Sequence, residues 1–553
     1  MNNIKRSRLL IFLKQIGVAK ATLLFLLQTE TLKQILLMNK LNLLKIGTIL
    51  MLLVTMTSCN KEKKALKSQS LEIDSLKLTT FFQEFPEFKD YKKDIDTLYK
   101  KYDYKYIWYD RDGRNEFAEV LYDRARKIGF EGVAGKLPYE DKFQEIFTKD
   151  KKLADVTTDL LISSMYFFYA DKVFEGVDPR KSKQMGWYLP RTKISFVDYL
   201  DELMEDKDLL NKDEDKQYSM YYNLRTALNR YRKIRDNGGW TKIELPEGVK
   251  SIKPGDDLPA VAQLRKRLAI TGDINSDSGE TKYDDELVAA VKLWQNEHSL
   301  QEDGIVGPAV LSDLNTPVEL RIKTILVNME RCRWINPDLE KNEEYILVNI
   351  PSYTMQYIKD GKTALKSNVV VGKELNKTVI FSGQMSYLVF SPYWNVPNSI
   401  LEKEIQPAIE RDPNYLDKHN MEWNGKGVRQ KPGNNNSLGL VKFMFPNSNN
   451  IYLHDTPAKS LFSRDDRALS HGCVRVERAK DLANKILEND KNWNPSKIDE
   501  AMNAGTESSY SLKRKIPVNI AYFTAVASAN GQVRFYDDVY KRDEKLAQLL
   551  YNE

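Results

Sequence analysis

Three of the seven cysteine and histidine residues lie close together near the end of the chain: His454, His471 and Cys473. A thiolate is a strong nucleophile and a neutral thiol a poor one, so a cysteine that attacks a carbonyl needs a base. A histidine within hydrogen-bonding reach takes the thiol proton and later protonates a leaving amine. Gly472 lets backbone amides approach the position where an oxyanion forms. These residue types at this spacing indicate acyl transfer through a thioester.

Two other interpretations of the cluster stay open. Two histidines and a cysteine carry the donor atoms of a zinc site, and such residues also pack together for purely structural reasons. The sequence contains neither HExxH nor His-x-His, and a catalytic zinc would need a general base nearby. We therefore expect no metal and no organic cofactor.

The elements that hold this cluster are predicted to be strands. From residue 343 the hydrophobic period changes to two, in EEYILVNI and YTMQYIK, and Asp360-Gly361 then gives a hairpin turn. We place a mainly β domain at 322–545. Within it, residues 400–440 form a polar insertion with little alternation, and a long loop in a compact domain is often a lid.

A small helical unit is predicted at 250–318. PAVAQLRKRLAI and DDELVAAVKLWQNEHSL give two helices, and EDGIVGPAVLSDL adds a Gly-rich turn and a third. We expect its core to contain Leu264, Leu268, Val288, Val291, Leu293, Trp294 and Leu311. The pattern resembles the peptidoglycan-binding domain of cell-wall enzymes, while a three-helix spacer is the alternative. His298, at the end of the second helix, is expected to be a cap or surface residue.

The segment 60–240 is predicted to be a tether followed by a helical scaffold. In DLLISSMYFFYADKVFEG the apolar residues are too dense for one stripe, so this helix is expected to be buried. A second helix covers 220–239 and ends at Gly238-Gly239. This region shows no cluster of residues that would do chemistry.

The N-terminal segment 1–59 has the pattern of an export signal. The apolar run 46–58 is shorter than the ~20 residues that span a bilayer, and lysines precede it. It ends at Cys59 in a sequence that resembles a bacterial lipobox, in which the cysteine is acylated. We expect an exported, membrane-anchored lipoprotein with translation starting at Met38, and a single-pass anchor is the alternative.

The composition excludes several classes of protein. A hydrophobic share of 42% and a charged share of 29% are ordinary for a globular protein and exclude a polytopic membrane protein. The net charge of +6 is small for 553 residues and no basic stripe is present, so nucleic acid is not an expected partner. Three cysteines cannot build a disulfide scaffold.

The spacing H-x15-S-H-G-C-V-R resembles the signature of the L,D-transpeptidase (YkuD-type) catalytic domain. VVVGK, SPYWNVPNSI, LGLVKFMFPN and YLHDTP are similar to the large, periplasmic, multidomain branch of that family. The resemblance implies a multidomain α+β fold with a helical scaffold, a peptidoglycan-binding domain and a capping element at 400–440.

The resemblance also implies roles for the motif residues. Cys473 matches the nucleophile and His454 the general base, and the amides of Gly472 and Cys473 would stabilise the oxyanion. Ser470 and His471 would shape the pocket.

Two further residues are expected to contact the substrate. Arg475 would contact a substrate carboxylate or hold the loop. Tyr452 lies two residues before His454 on the same strand, so both should face the same side. Of the remaining cysteine and histidine, Cys332 is expected to be buried and His419 to lie on the surface.

The activity implied is peptidoglycan 3→3 cross-linking between stem peptides, with acylation by carbapenems. The donor would be a tetrapeptide whose third residue is a diamino acid such as meso-diaminopimelate. Three alternatives stay open: an L,D-carboxypeptidase that uses water, attachment of a protein to the wall, and a non-catalytic wall-binding lipoprotein.

Overall fold

The computed structural model describes residues 75–110, 112–149, 155–191, 193–205, 216–298 and 300–552. The predictions for the N-terminal segment, including acylation of Cys59, lie outside these residues. Within the described ranges, no helix combines the length and the apolar character needed to cross a membrane.

The first part of the chain is a helical layer with two short strands and a third that joins another sheet. Its elements are α1 Ser75–Glu84, α2 Lys92–Lys101, β1 Tyr109–Asp110, β2 Gly113–Arg114, α3 Glu116–Ala125, α4 Glu140–Thr148, α5 Val156–Ala170, α6 Pro179–Gln184, β3 Trp187–Tyr188 and α7 Phe196–Glu205. Helix α5 is buried on nearly all sides, as its dense apolar sequence predicted. The Asp155 side chain caps it by accepting from the amide of Thr158.

A long helix, α8 (Ser219–Asp236), follows the helical layer. It ends where predicted, because Gly238 and Gly239 adopt positive φ and the Gly239 amide donates to the Ile234 carbonyl at 2.8 Å. Its apolar face, including Leu224 and Leu228, belongs to the same hydrophobic core as the β domain. The helix that the sequence groups with the scaffold therefore packs into the core of the β domain.

A separate three-helix core follows, built from α9 Pro259–Thr271, α10 Asp285–Glu297 and α11 Pro308–Leu314. Leu264, Leu268, Val291 and Trp294 are buried in it, as expected. Leu293 was expected there and is instead 59% exposed. It lies off the Leu287–Val291–Trp294 stripe, whose spacing of four and three residues defines the buried face of α10.

The β domain begins after helix α12 (Val318–Arg333). Its strands in the first half are β4 Glu344–Asn349, β5 Thr354–Lys359, β6 Lys362–Gly372 and β7 Ile380–Phe390. The turn at Asp360-Gly361 joins β5 to β6, and both residues have positive φ, as the hairpin prediction required.

The predicted insertion folds into a small substructure. It contains β8 Trp394–Asn395, α13 Asn398–Ile400, α14 Gln406–Arg411, α15 Tyr415–Lys418, β9 Met421–Asn424 and β10 Gly427–Gln430. Strands β8, β10 and β9 form their own three-stranded sheet, and Val396, Ile400, Ile405, Met421 and Val428 form its own core. We call residues 394–430 the cap. Polar and apolar residues alternate little in its sequence because its strands and helices are short and its core contains few residues.

The second half of the β domain returns to the large sheet. Its elements are β11 Val441–Met444, β12 Leu453–His454, β13 Ala468–Ser470, β14 Val474–Val476, α16 Ala479–Leu487, α17 Pro495–Met502, β15 Ser508–Ala521, β16 Ala525–Ala527, β17 Val533–Phe535 and α18 Asp543–Asn552.

The large sheet closes on itself. Its order is β11-β12-β14-β6-β5-β4-β15-β7-β3, and β11 also pairs with β7. Alternate residues face the enclosed core and the outer surface. The mixture of helical domains with a mainly β domain confirms the predicted multidomain α+β fold.

Candidate active site

Four of the predicted site residues lie on the outer face of the sheet, either on the adjacent strands β12 and β14 or directly before them. Leu453 and Val474 are fully buried in the main core and pair with each other in a parallel register. Because side chains alternate along a strand, the neighbours of these core residues point outward. His454 pairs with Arg475 in the same register, and Tyr452 and Cys473 precede them. The structure thus brings Tyr452, His454, Cys473 and Arg475 to one surface.

The Cys473 thiol is half-buried in a loop just before β14. Burial raises the pKa of the thiol above its usual value, although the amide and hydroxyl of Tyr452 and the positive charge of Arg475 act in the opposite direction. The Sγ atom donates to the Asn450 carbonyl at 3.7 Å. Because the thiol pKa is raised, the cysteine is protonated at neutral pH until a base acts on it.

The His454 imidazole is buried and neutral at physiological pH. Burial has the largest effect on its pKa and the positive charge of Arg475 the next largest, and together they lower it to about 4. The main-chain carbonyls of Asp455 and Leu438 act in the opposite direction and raise the pKa. Nδ1 lies 2.5 Å from the Asp455 carbonyl oxygen. Since a carbonyl only accepts, Nδ1 carries the proton, and Nε2 of the neutral ring is the nitrogen that can take up a proton. The ring is therefore oriented by a backbone carbonyl.

The Asp455 side chain fixes the peptide that orients His454. Its carboxylate accepts from the Leu440 amide at 2.9 Å and forms an ion pair with Lys459 at 2.7 Å. In the described part of the chain no hydrogen bond joins the Cys473 thiol to His454. Catalytic hydrogen bonds are often long without substrate, so this arrangement is compatible with a thiol–imidazole pair that forms on binding.

The backbone around Cys473 differs from the prediction at Gly472. The Gly472 amide already donates to Ser470 Oγ at 3.1 Å, and that hydroxyl donates to the Cys473 carbonyl at 2.7 Å. The Gly472 amide is thus not directed to an oxyanion while Ser470 holds it. The Cys473 amide makes no hydrogen bond to any residue that the structure describes. Gly472 itself has φ of +123°, a conformation that favours glycine.

His471 contacts the cap. Its Nε2 lies 2.8 Å from Oε1 of Glu404, and both side chains are substantially exposed. Glu404 is 67 residues earlier in the sequence, and no local signal marked it.

Lys442 is a second residue that sequence reasoning missed. It lies on β11 directly opposite His454 in the antiparallel register, with Arg475 opposite His454 on the other side. The outer face of the sheet therefore carries the row Lys442, His454 and Arg475 across three adjacent strands.

Among the residues that the structure describes, the remaining cysteine and the remaining histidines lie outside the site. Cys332 is fully buried, as predicted, and His419 is exposed. His298 ends helix α10, where its ring stacks on Trp294 at 3.9 Å and its Nδ1 lies 2.7 Å from the Trp294 carbonyl. In the ranges that the structure describes, no group of three or more His, Cys, Asp and Glu side chains is arranged to hold a metal ion.

Family models match three parts of the chain. The "L,D-transpeptidase catalytic domain" (YkuD) matches residues 343–499, a "Scaffold domain" matches 93–228, and a "Putative peptidoglycan binding domain" matches 257–314. Residues 343–499, which carry the cysteine and histidine site, are thus those of an L,D-transpeptidase catalytic domain. The resemblance inferred from the sequence is confirmed.

Individual proteins are also similar to this chain. A curated protein of Haemophilus influenzae with the name "Putative L,D-transpeptidase" is 34% identical over 243 residues, 40% of this chain and 48% of that protein. The chain therefore spans about half the length of this relative. Among solved structures, an L,D-transpeptidase of Xylanimonas cellulosilytica is 15% identical, with 50% of this chain and 100% of that chain covered and a TM-score of 0.18. One from Stackebrandtia nassauensis is 16% identical, covering 50% and 95%, with a TM-score of 0.21.

Proposed function

We propose that the chain is a peptidoglycan L,D-transpeptidase that forms 3→3 cross-links between stem peptides. The observation that carries this proposal is the position of Cys473 and His454 on one outer face of neighbouring strands, in a segment that matches the L,D-transpeptidase catalytic domain. A neutral imidazole on the same face of the sheet as a protonated thiol is the starting state that a general-base mechanism requires.

In the first step, Cys473 attacks the carbonyl of the third residue of a donor tetrapeptide. His454 Nε2 takes the thiol proton as the S–C bond forms. The C–N bond to the terminal D-alanine then breaks, and His454 returns the proton to the leaving amine. The amide of Cys473 is the donor best suited to the oxyanion, since Ser470 already holds the Gly472 amide. A thioester remains on Cys473.

In the second step, the side-chain amine of an acceptor stem attacks this thioester. His454 takes a proton from the amine, the C–S bond breaks and the proton passes to Sγ. Tyr452, whose amide and hydroxyl stabilise the thiolate form, favours departure of the sulfur. Ser470 and His471 would shape the pocket, and Arg475 would bind a substrate carboxylate. No step requires a metal or an organic cofactor.

The decisive experiment incubates the purified protein with disaccharide-tetrapeptide and analyses the products by mass spectrometry. Dimer with loss of D-alanine supports the transpeptidase, whereas tripeptide alone indicates an L,D-carboxypeptidase. Cys473→Ala should abolish both products, and Cys332→Ala is the matched control because that thiol is fully buried away from the site. Full activity of Cys473→Ala would refute the mechanism.

The protein-attachment alternative is tested in the same reaction. A protein amine supplied as acceptor would then yield a protein–peptide conjugate in place of the dimer. The non-catalytic alternative predicts that neither dimer, nor tripeptide, nor conjugate forms from the wild-type protein.

Peptidoglycan lies outside the cytoplasm, so the substrate implies export. We propose that Cys59 carries a lipid that holds the protein at a membrane surface, since the preceding apolar run resembles a lipobox. Cys59→Ser should move the protein from the detergent phase to the aqueous phase. An unchanged partition would remove the lipid anchor from the proposal and leave the catalytic part untouched.

A further inference from the structure

The outer face of the sheet carries one row of paired residues that extends beyond the catalytic pair. Lys442 on β11 pairs with His454 on one edge and with Val389 on β7 on the other. On the far side of His454, Arg475 pairs with Val370 on β6. Val389 and Val370 are both buried, yet neither belongs to the main core cluster. The row therefore places a cation on each side of His454, between two apolar residues.

The surroundings of Lys442 favour binding of an anion by its ammonium group. Its side chain is half-buried, and it forms no ion pair with any residue in the described ranges. Burial lowers the pKa of its ammonium group, and the charge of Glu507 acts in the opposite direction. Glu507 is exposed, and its carboxylate accepts from the Tyr393 amide at 2.8 Å. A half-buried ammonium without a close counter-ion gains from a ligand carboxylate more than an exposed one does.

The position of Lys442 relates it to one side of the reaction. Residues directly opposite in antiparallel strands have Cβ atoms ~5 Å apart, so Lys442 and His454 are immediate neighbours. Arg475 lies on β14, two residues after Cys473, and Lys442 lies on the opposite side of the base. His454 must reach the leaving amine in the first step and the acceptor amine in the second. Groups attached to either amine would therefore lie near the neighbour of the base, Lys442.

These two amines share a chemical feature. The leaving D-alanine carries a carboxylate on the carbon next to its nitrogen. An acceptor amine of meso-diaminopimelate also carries a carboxylate on the adjacent carbon. One cation next to His454 in the sheet could therefore bind the carboxylate of the leaving D-alanine in the first step and that of the acceptor in the second.

We propose that Lys442 is a substrate-binding residue that recognises the carboxylate adjacent to the reacting amine, in the leaving amino acid, in the acceptor, or in both. The inference rests on the proposed function and extends it to the choice of acceptor. An acceptor whose side-chain amine lacks that carboxylate, such as a lysine stem, would bind less well. Water would gain no help from Lys442.

The test compares matched substrates in two arms with wild-type protein and Lys442→Gln. In the donor arm, a tetrapeptide with a free terminal carboxylate is compared with its terminal primary amide, and release of the last residue is measured. In the acceptor arm, a diaminopimelate stem is compared with one whose side-chain carboxylate is amidated, and dimer formation is measured. Wild type should prefer the free carboxylate by on the order of tenfold in kcat/KM in at least one arm.

Lys442→Gln should bring that preference close to one, while its activity on the amidated substrate stays near that of wild type. A loss in the donor arm alone assigns the carboxylate of the leaving residue, and a loss in the acceptor arm alone assigns that of the acceptor. Lys362→Gln, an exposed lysine in the β5–β6 hairpin, is the control and should keep the wild-type preference. Lys442→Arg should retain part of it and provides a second variant if the glutamine variant does not fold.

An unchanged preference in both arms for a folded Lys442→Gln would overturn the assignment. The proposed function fails in a different way, because wild type would then release no terminal residue and form no dimer from any substrate.

Discussion

The neutral state of His454 makes the stability of the protein depend on pH in a defined direction. The folded-state pKa is about 4, and an unfolded histidine has its ordinary value of 6.5. Between these values the unfolded chain binds a proton on His454 that the folded chain does not bind. Stability is therefore complete above pH ~6.5 and falls as the pH decreases toward 4.

The size of this effect follows from the pKa difference. At about 1.4 kcal/mol per pKa unit, the interval from 6.5 to about 4 corresponds to ~3 kcal/mol. His454 is only 4% exposed, so solvent screening reduces this figure little. The same pKa predicts that the acid limb of the kcat/KM profile lies near pH 4, because the base is lost when Nε2 is protonated.

The assay is urea unfolding of wild type and His454→Gln at pH values from 7 to 4.5, with Cys473→Ala as a second background that keeps the imidazole. Wild type should lose ~2–3 kcal/mol more than His454→Gln over this range. The pKa is measured directly by NMR of proteins labelled at histidine, in which four signals are expected. A His454 titration near 6.5, or equal pH slopes for wild type and His454→Gln, would refute the assignment of a buried neutral base.

Three further predictions concern the motif loop, the cap and the buried cysteine. Gly472→Ala places a side chain at φ of +123°, and it should lower the free energy of unfolding by ~1–3 kcal/mol and remove most of the activity. The control is Gly361→Ala, at φ +70° in an open hairpin turn, which should lower stability and leave activity unchanged. Thermal unfolding and activity assays measure the two effects. Glu404→Gln removes the carboxylate that contacts His471. Because both groups are exposed, the free energy of unfolding should change by less than ~1 kcal/mol, while hydrogen exchange in the cap should become faster. Unchanged hydrogen exchange in the cap would show that this contact does not hold the cap. Cys332→Ser buries a hydroxyl in the core and should lower stability by ~1–3 kcal/mol with normal turnover, the opposite of Cys473→Ser, which should be stable and inactive.

The parts of the site that the sequence predicts are those encoded locally. The spacing of His454 and Cys473 is a continuous pattern, and Tyr452 follows from the two-residue period of one strand. Lys442 shows the limit of such reasoning. Alternation alone puts it on an outer face, but only the pairing of β11 with β12 places it opposite His454. Register between strands depends on the whole sheet and cannot be obtained from one strand.

The cap and the scaffold show the same limit at the level of domains. The polar composition of 400–440 predicted a lid, yet the contact between Glu404 and His471 depends on how the cap packs. Motifs in the sequence resembled the families of the peptidoglycan-binding domain and of the L,D-transpeptidase catalytic domain. The packing of α8 into the core of the β domain was not, since an amphipathic helix does not specify which neighbour will cover it.

Strand β3 has a consequence for how this chain can be divided into fragments. Trp187 and Tyr188 pair in parallel with the start of β7, at Ile380 and Phe381, although they belong to the helical part of the chain. A fragment cut at residue 322 would lose this strand and the apolar face of α8 together. It would present an unpaired strand edge beside exposed core residues, the arrangement that leads sheets to associate edge to edge. The β domain is therefore not expected to fold by itself as an isolated fragment. A fragment that stays monomeric should include β3 and α8.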